Sequence, residues 1–587
     1  MENTPKLQAG LTMQLFKSKA NAALEDIVLQ YPEPHILTFP NYLAFYVGAL
    51  LDEKITSKIV QKIVPISGIG SSQERGTIFF FTTSDNSSIN EILNLYQYIP
   101  NYTKVMLVIP RGTAQIQRAI AEKGYVVATQ TNESNNNNDL KINNPSVQVA
   151  IYDFPADFLP IGTDFFLLPC FHSFYKLNIQ SDFEDIYNSA RALSKIESLF
   201  GHIPHVMCAG INAARVHQVL NQFNAGQKAQ MKIPQIDSLI IIDRNVDLIT
   251  PLTTEVNVEG FINAAFNIQY SSVIPKVMGM DDPIVLTEYN EVFRTIRMMP
   301  WHRMREYVTA VQGKIDERLE SLKARQGEFT KDYAQLKSLQ DMKPKIEKLF
   351  NLANEAIKKL KQDTPAFDEI YSSEFQLLQH HSCIDLAENL VLIYNDWRNA
   401  LRLLCLEDAC GERRSASDVA KIQNEISNEF GLENCLESFL NLEKTRFLSS
   451  SEFRVPLRGC LEKLDVMGPV DENNDPTDAC GTALGGFVPP SVRFVQKFAE
   501  GETAWLSKNF SDKIYINESG QKPNREPGET RRIIVFFVGG VTSTEVGTIR
   551  NIGRSYYNGE IEFIVGSTDK ISYNRFLDQI CPFLENC

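Results

Sequence analysis

The first third of the chain alternates between apolar runs of strand length and segments with helical periodicity. The runs are Thr77–Thr82 (TIFFFT) and Lys104–Ile109 (KVMLVI), and the segments that follow them, 88–98 and 113–123, repeat apolar residues every three or four positions. Buried strands without polar alternation, separated by helices, are typical of a parallel sheet that is covered on both faces. The pattern predicts a doubly wound α/β domain over residues 1–145.

A second group of strands and helices follows, and the same pattern returns near the C-terminus. The predicted elements before the break are 147–153, 164–168, 184–200, 214–223 and 239–242. Those after the break are the strand Ile533–Val538, the helix Ser543–Arg550, the strand 561–565 and a closing helix from Ser572. A sheet that stops and later resumes indicates one discontinuous parallel-sheet domain with an insertion. We assign residues 146–250 and 481–587 to it.

The inserted part, residues 251–480, has almost no strand signal and is predicted to be an all-helical domain. Two runs of apolar residues at three- and four-residue steps indicate a pair of amphipathic helices over about 305–361. Between them, the polar segment 324–328 suits the tip of a helical hairpin. Each arm of about 20 residues would be about 30 Å long, which is enough to project from the body of the protein.

An asparagine-rich tract, Thr129–Asn144 (TQTNESNNNNDLKINN), separates the two α/β sections. Such a composition cannot bury enough apolar area to offset the entropy that a chain loses on folding. We interpret the tract as a disordered loop at a domain edge, and a binding loop is the alternative interpretation.

The amino-acid composition argues against several classes of protein. Lys plus Arg is 58 and Asp plus Glu is 72, so the net charge is −14, which disfavours nonspecific binding of nucleic acid. The ten cysteines form no CxxC pair, which argues against a zinc ribbon or a thioredoxin-type site. The N-terminal residues lack the pattern of a signal peptide, and the apolar runs are shorter than the ~20 residues that span a bilayer. We expect a cytoplasmic protein whose membrane role is peripheral and depends on partners.

The common catalytic motifs are missing from the sequence. It contains no GxGxxG for a dinucleotide, no GxxxxGK[ST] phosphate loop, no GxSxG elbow and no HExxH zinc site. The sequence therefore predicts no enzyme, no cofactor and no metal site.

The polar residues that follow the predicted strand Leu239–Ile242 invite a chemical interpretation. Asp243, Asn245 and Asp247 match the first three ligand positions of a calcium-binding loop, but its sixth and twelfth positions hold Leu and Thr instead of Gly and Glu. A phosphatase-type nucleophile would need a second Asp two residues after Asp243, where this chain has Asn245. An aspartate-dependent phosphohydrolase that uses Asp243 remains an alternative.

A scaffold role explains the same residues without a substrate. An Asp at the end of a buried strand can accept hydrogen bonds from free backbone N–H groups in the turn. Arg244 can pair with a carboxylate across an interface, and Asp247 can cap the turn that leads into Thr250. We predict that Asp243, Arg244 and Asp247 form a structural joint, whose loss would damage assembly and not turnover.

The same stretch carries a family resemblance. Residues 243–252 (DRNVDLITPL) resemble a signature of the SM proteins (the Sec-one/Munc-eighteen type), and the form DRNVD is similar to their class C vacuolar-sorting branch. Further segments agree in the same order: 399–410 (NALRLLCLEDAC), 430–448 (FGLENCLESFLNLEKTRFL), 486–496 (GFVPPSVRFVQ) and 531–550. Phe487 and Val488 depart from the Tyr-Ala of the family pattern. The resemblance extends over essentially the whole chain.

The resemblance implies an arch of three domains: an α/β domain, a discontinuous parallel-sheet domain and a helical domain inserted into it. It implies a SNARE-binding chaperone, the SM subunit of the HOPS and CORVET tethering complexes. Such a protein templates SNARE assembly for membrane fusion at late endosomes, lysosomes or the vacuole. It binds helices in grooves and catalyses no reaction. An SM protein of another trafficking step is the alternative.

The resemblance also implies two kinds of partner. Late-endosomal or vacuolar Qa- and R-type SNARE helices would bind the hairpin, where the candidate contacts are Ile315, Leu319, Leu322, Leu336 and Leu339. The second partner would be the C-terminal α-solenoid of vacuolar protein sorting subunit sixteen. Its candidate contacts, at i, i+3, i+4 and i+7, are Leu432, Cys435, Leu436 and Phe439. An ordinary place in the hydrophobic core is the alternative for these four residues.

Overall fold

The computed structural model describes residues 14–71, 74–83, 86–109, 113–122, 127–130, 149–226, 234–275, 283–286, 291–324, 329–379, 381–410, 415–449, 461–468, 486–523, 525 and 528–586. The chain divides into two compact units, Met1–Pro169 with Gln269–Ser271, and Cys170–Ile268 with Ser272–Cys587. No helix within the described ranges is both long and apolar enough to cross a membrane.

A parallel sheet forms the centre of the first unit. Its described strands are β1 (His35–Phe39), β2 (Lys62–Pro65), β3 (Gly76–Thr82), β4 (Tyr102–Val108), β5 (Val127–Gln130) and β6 (Val149–Asp153). They lie in the order β2-β1-β3-β4-β6-β5, and each neighbouring pair is parallel. The strand β3 is buried along its whole length, so both faces of the sheet are covered there, as the uninterrupted run TIFFFT predicts.

Helices and a short hairpin complete the first unit. The described helices are α1 (Gln14–Val28), α2 (Ala44–Leu50), α3 (Glu53–Ile59), α4 (Asn86–Leu95) and α5 (Thr113–Glu122). Two further strands, β7 (Leu159–Pro160) and β8 (Phe165–Leu167), form an antiparallel pair. Apolar residues of α4 and α5, such as Ile89 and Ile116, pack with residues of β3 and β4 in one buried cluster. The predicted α/β character of this part of the chain is confirmed.

One strand lies in a different sheet from the one predicted. The strand β6 pairs with both β4 and β5, so the assignment of residues 147–153 to the second α/β section is wrong. Periodicity identifies a strand, but its neighbours are decided by tertiary contacts that the local pattern does not contain. The strand β5 also includes Thr129 and Gln130, the first residues of the predicted asparagine-rich loop. The rest of that tract, and the predicted boundary at 145, lie outside the described residues.

The second unit contains a sheet built from two distant parts of the chain. Its described strands are β9 (His205–Ala209), β10 (Ser238–Asp243), β13 (Ile516–Gly520), β14 (Arg531–Val538) and β15 (Ile561–Ser567), and between β10 and β13 lie the two short strands β11 (Ser272–Val273) and β12 (Ile284–Val285). Within this unit the strands lie in the order β13-β9-β10-β14-β15, and β10 lies parallel to β14 with Asp243 opposite Val538. This pairing confirms the predicted discontinuous sheet.

The second sheet is nevertheless mixed and not purely parallel. The edge strand β13 runs antiparallel to β9. Its sequence, INESG, is mostly polar and exposed, so it carries no apolar run of the kind that marks a buried parallel strand. A polar strand at an open edge is a common arrangement, because charged residues there discourage pairing with other chains.

The helices of the second unit lie mostly between β10 and β14. The described ones are α6 (Ser173–Tyr175), α7 (Glu184–Phe200), α8 (Ile211–Gly226), α9 (Val258–Phe266), α10 (Glu291–Ile296), α11 (Trp301–Ala324), α12 (Phe329–Asp363), α13 (Phe367–Leu378), α14 (Ile384–Tyr394), α15 (Trp397–Cys410), α16 (Ala416–Phe430), α17 (Leu432–Thr445), α18 (Pro490–Glu500), α19 (Thr503–Phe510), α20 (Ser543–Asn551) and α21 (Tyr573–Ile580). The insertion is not entirely helical, because β11 and β12 pair as a small antiparallel sheet. Strands of two residues are too short to produce a recognisable periodicity.

The predicted hairpin corresponds to α11 and α12, which are 24 and 35 residues long. The two helices pack with α9 and α10 in one buried cluster. Val308 and Ile315 of α11 and Leu352 of α12 belong to this cluster. Lys343 and Asp316 form a 2.8 Å ion pair between the two helices. The predicted tip, residues 324–328, lies outside the described residues except for Ala324.

Candidate functional site

The strand β10 ends at Asp243, whose carboxylate accepts hydrogen bonds from donors in the adjacent turns. Asp243 is 2% exposed, and its Oδ2 accepts the backbone N–H of Asn212 at 2.9 Å. Its Oδ1 accepts the backbone N–H of Asn245 at 3.1 Å and the side-chain amide of Asn245 at 3.0 Å. Burial raises the pKa of Asp243, and these hydrogen bonds counteract part of the rise. The carboxylate therefore serves the turn as a hydrogen-bond acceptor.

Arg244 is fully buried and joins the end of β10 to the start of α20. Its Nη1 lies 2.8 Å from Oε2 of Glu545, and its Nε donates to the backbone carbonyl of Asp247 at 2.8 Å. A second ion pair, to Oδ2 of Asp247, measures 3.4 Å. Burial works against the charged guanidinium, but the two carboxylates outweigh it, so the pKa of Arg244 is raised. Arg244 thus connects segments that are 301 positions apart in the chain.

Asp247 organises the chain where it leaves the sheet. Its Oδ1 accepts the backbone N–H groups of Ile249 and Thr250 at 3.1 and 2.9 Å. Its Oδ2 accepts the Thr250 hydroxyl at 2.6 Å and the backbone N–H of Ser491 at 3.1 Å. Asp247 therefore caps the turn, as predicted from the sequence, and also ties it to the first turn of α18, which the sequence did not indicate.

Glu545 completes this network and was missed by the sequence reasoning. It forms a capping box with Thr542 at the start of α20, pairs with Arg244, and accepts a hydrogen bond from the Ser491 hydroxyl. A local signal existed, because Thr542 and Glu545 have the Thr-x-x-Glu spacing that marks a capped helix start. That signal predicts the cap, but it does not predict that the same carboxylate meets Arg244.

A second buried ion pair connects the loop after the joint to the helical insertion. Arg402 of α15 donates to Glu374 of α13 at 2.6 Å and to the carbonyl of Leu252 at 2.7 Å. Glu374 in turn accepts the backbone N–H and the hydroxyl of Thr254 at 2.8 and 2.7 Å. The guanidinium also lies 4.6 Å from the ring centroid of Tyr573. The loop that follows β10 is therefore held by two helices of the insertion.

A third buried group of charges surrounds α9. Glu259 pairs with Arg297 at 2.7 Å and with Lys570 at 2.8 Å. Burial opposes ionisation of Glu259, but the two cations more than offset it and hold its pKa well below the usual range. The neighbouring Glu255 has no such pair, and burial raises its pKa to about 8. The three groups of charges together connect the segment after β10 with α20, with the segment after β15 and with the insertion.

Gly210, which follows β9, is expected to be intolerant of any side chain. Its φ is +98°, and a Cβ there would lie 2.3 Å from Cβ of Asp243. Gly210→Ala should therefore lower the free energy of unfolding by at least about 1–3 kcal/mol from backbone strain, with the steric clash in addition. Gly313→Ala is the matched control, since a Cβ at Gly313 meets nothing within 4 Å and should be neutral or stabilising. Thermal unfolding of both variants tests this, and equal midpoints would contradict it.

Glu255 should make stability fall as the pH rises. Its carboxyl has a pKa of about 8 in the folded protein against 4.5 ordinarily, because burial outweighs the opposing effects of Lys570 and Thr544, while Glu259 and Glu545 add to the rise. The folded state thus binds the proton more tightly, so this stabilisation is complete below pH 4.5 and is lost up to about pH 8. Glu255→Gln should melt at a higher temperature than wild type, with a gap that widens over this window. The exposed Glu320→Gln is the control, and a gap that is constant with pH would refute the assignment.

The structure describes the side chains of two of the five predicted SNARE contacts on the hairpin. Ile315 is 5% exposed and belongs to the buried cluster, and Leu319 packs against the same cluster. These two side chains therefore hold the hairpin to the body of the unit, which argues against Ile315 as a contact for a partner. The side chains of Leu322, Leu336 and Leu339 lie outside the described residues, so their role stays a prediction.

The four predicted contacts on α17 fall on two different faces of the helix. Leu432 and Leu436 are 60% and 53% exposed, Phe439 is half-buried, and Cys435 is fully buried. Leu440, which was not predicted, is 52% exposed and lies four residues after Leu436. The exposed positions follow an i, i+4, i+8 spacing, which keeps them on one face. We call Leu432, Leu436 and Leu440 the α17 face.

Cys435 is fully buried in the core, the alternative that the sequence left open, which argues against it as a partner contact. The helical stripe i, i+3, i+4, i+7 is wide enough to include residues on both the buried and the exposed side of one helix. Two hydrogen bonds hold α17 to the rest of the unit: Asn441 donates to the carbonyl of Ile580 at 3.1 Å, and Lys444 donates to that of Ile179 at 2.9 Å. Which side of the stripe faces the core depends on these contacts, and the sequence of the helix alone does not contain them.

Metal binding has no support in the described ranges. There, no group of three or more His, Cys, Asp or Glu side chains lies close enough to hold an ion.

Comparison with known proteins connects this architecture to a family. The model of the Sec1 family matches residues 43–579. Vacuolar protein sorting-associated protein 33A of Rattus norvegicus is 24% identical over 472 residues, which cover 73% of this chain and 76% of the relative. Vacuolar protein sorting-associated protein 33 of Schizosaccharomyces pombe is 22% identical over 593 residues, 92% of this chain and 95% of the relative. These relatives confirm the resemblance to the vacuolar-sorting branch.

Solved structures share the fold. The Unc18–syntaxin 1 complex from Monosiga brevicollis matches with a TM-score of 0.57 and 13% identity, over 96% of this chain and 98% of that chain. The SM protein Vps45 in complex with the Qa SNARE Tlg2 matches with a TM-score of 0.54 and 13% identity, over 96% and 97%. At these identities the likeness concerns the fold alone.

Proposed function

Because the chain belongs to the Sec1 family, we propose that it binds SNARE proteins and templates their assembly during vesicle traffic. The observation that carries this proposal is the family match over residues 43–579, which extends through both units of the chain. Two proteins of similar fold were solved with syntaxin 1 and with the Qa SNARE Tlg2. Helical partners bind by laying an apolar face into a groove, and such binding requires no catalytic group.

The proposal is that the protein acts as a chaperone and not as an enzyme. An aspartyl nucleophile must reach a substrate in a cleft beside a second polar group. Asp243 is instead 2% exposed, and both of its oxygens accept hydrogen bonds from Asn212 and Asn245. This geometry supports the structural joint over the phosphohydrolase.

We assign the protein more narrowly to the tethering complexes of the endolysosomal system, HOPS and CORVET. The relatives named vacuolar protein sorting-associated protein 33 support this step. The SNARE partners would then be the Qa and R types of late endosomes, lysosomes or the vacuole, and the protein would reach these membranes peripherally, through its partners.

The α17 face is the proposed contact for the C-terminal α-solenoid of vacuolar protein sorting subunit sixteen. Three leucines, each more than half exposed, form an apolar surface along one helix. Glu433 and Glu443, which are exposed on the same helix, add negative charge to it. A matching partner helix would carry apolar residues flanked by Lys or Arg, since complementary charge directs association and fixes orientation.

Reconstitution from purified components tests the proposal. The full chain is immobilised and mixed with the solenoid of subunit sixteen, and separately with late-endosomal Qa- and R-SNARE motifs. We expect capture of the solenoid and faster formation of the four-helix SNARE complex in the presence of the chain. Capture of SNAREs without the solenoid would indicate an SM protein of another trafficking step. Capture of neither would overturn the proposed function.

A further inference from the structure

The packed helices α7 and α8 share an exposed surface of aromatic, aliphatic and basic side chains that has no part in the joint or in the α17 face. Phe183, directly before α7, Tyr187 of α7 and Ile211 of α8 are 45%, 50% and 60% exposed. The rings of Tyr187 and Phe223 lie 5.0 Å apart between centroids. The guanidinium of Arg215 lies 4.6 Å from the ring centroid of Phe183. We call these five residues the α7–α8 patch.

The ring contacts make the patch continuous across the two helices. Arg215 of α8 lies over Phe183, and Phe223 of the same helix contacts Tyr187 of α7. Ile211 precedes Arg215 by four positions, which places both on one face of α8. Single exposed apolar residues are ordinary on a protein surface, whereas a contiguous group of them marks an interaction site. Tyr, Phe and Arg are also the residue types enriched at protein interfaces.

Arg215 is the charged member of the patch and forms no ion pair. It is exposed, and its Nη1 donates to the side-chain oxygen of Asn212 at 3.0 Å. No carboxylate of the described residues lies within 4 Å of its guanidinium. A partner that covers the patch removes water from this cation, so it must supply an acceptor in return. A carboxylate fits best, because a guanidinium stacked on a ring keeps its N–H edge free for a bidentate contact.

The acidic residues around the start of α7 interact with a different cation. Burial lowers the pKa of Lys176, but the negative groups around it raise that pKa by more. Three of these groups are the carboxylates of Asp185, Glu184 and Asp182. They leave the region without an excess of positive charge, so nucleic acid and anionic membranes are not favoured there. The patch requires one carboxylate opposite Arg215 and not a polyanion.

We propose that the α7–α8 patch binds an amphipathic helix of a protein partner, whose apolar side chains pack on the exposed rings and whose Asp or Glu pairs with Arg215. The line along which two packed helices meet forms a groove that accepts the ridge of a third helix. The α17 face, with its leucines and glutamates, calls for a basic partner helix, so the two surfaces select different partners. The proposal is independent of SNARE binding and of the solenoid.

Fluorescence polarisation of the full chain with a labelled synthetic helix tests the proposal. The probe is a peptide of about 18 residues with leucines on one face and glutamates beside them, and a second probe has lysine in place of every glutamate. We expect saturable binding of the glutamate probe and binding of the lysine probe that is at least about tenfold weaker. Absence of binding by the glutamate probe, or equal binding of both probes, would overturn the proposal.

A charge reversal separates recognition from damage to the fold. Arg215→Glu should bind the lysine probe more tightly than the glutamate probe, a reversal that unfolding does not produce. Arg318→Glu makes the same change at an exposed arginine of α11 and should keep the wild-type preference. If Arg215→Glu keeps that preference as well, Arg215 does not select the partner and the proposal is wrong.

The aromatic part of the patch has a closely matched control. Tyr187→Ser should weaken binding of the glutamate probe by about tenfold or more. Tyr98→Ser, at a tyrosine of the first unit that is 49% exposed against 50% for Tyr187, should leave it unchanged. An equal effect of the two variants would contradict the assignment of the site.

Two measurements on the full chain test the other occupants of such a surface. Sedimentation velocity reports self-association, and flotation with vesicles of phosphatidylcholine and phosphatidylserine reports membrane binding. We expect neither to depend on Tyr187. Self-association that Tyr187→Ser abolishes would assign the patch to a second copy of the chain, and flotation that it abolishes would assign the patch to a lipid surface. Either result would overturn the proposal.

Discussion

Replacement of Arg244 by methionine is expected to lower the free energy of unfolding by about 3–5 kcal/mol. Arg244 is fully buried and pairs with Glu545 at 2.8 Å and with Asp247 at 3.4 Å. Methionine preserves much of the volume, but it leaves Glu545 and Asp247 in the interior without their cation. The cost comes from these uncompensated carboxylates, because a buried charge without a partner is poorly solvated.

Two further variants isolate this cause. Arg554→Met changes an exposed arginine and should alter stability by no more than about 0.5 kcal/mol. Arg244→Met combined with Glu545→Gln should recover part of the loss, since one unpaired charge is removed. Thermal unfolding followed by circular dichroism provides the comparison. If Arg244→Met and Arg554→Met melt at the same temperature, Arg244 is not the centre of the joint.

Replacement of Leu436 by aspartate is expected to weaken binding of the subunit-sixteen solenoid by about a hundredfold or more. Leu436 is the central member of the α17 face and is 53% exposed. A carboxylate there would have to be desolvated in an apolar contact, next to the acidic Glu433. The fold itself should be unaffected, because the side chain lies on the solvent side of α17.

Leu392→Asp is the matched control for this prediction. Leu392 of α14 is 80% exposed, so the same substitution places the same charge on another apolar surface position of the unit. Calorimetry with the purified solenoid gives its dissociation constant for each variant and for the wild type. Comparison of these constants tests the prediction. A loss in Leu392→Asp without one in Leu436→Asp would move the interface to α14 and leave the proposed function intact. Loss in neither would remove both surfaces from consideration.

The buried apolar runs and the joint show which features of the fold can be predicted from local sequence patterns. TIFFFT became β3 of the first sheet, and the runs at 239–242 and 533–538 became the neighbouring strands β10 and β14. Asp243 and Asp247 accept backbone N–H groups of their own turns, which follows from the chemistry of a carboxylate at a strand end. These are interactions over a few residues, and the sequence contains all of their parts.

The errors share one physical cause, since each depends on contacts between distant segments. Val149–Asp153 was recognised as a strand and assigned to the wrong sheet, because the choice of neighbour lies in β4 and β5. Cys435 and Leu436 are adjacent in the sequence and have opposite environments, because the packing of α17 decides which side is buried. Glu545, which pairs with Arg244, and the separate pair of Arg402 with Glu374 were missed for the same reason.

The sequence by itself determined the classes of element, the discontinuous sheet, the long helical pair and the family to which the chain is related. All of these depend on periodicity, on local hydrogen bonding and on motifs of neighbouring residues. Only the tertiary structure decided the partners of the buried charges and the face that α17 exposes. Burial and pairing of this kind are properties of segments far apart in the chain, and they exist only when the fold brings those segments together.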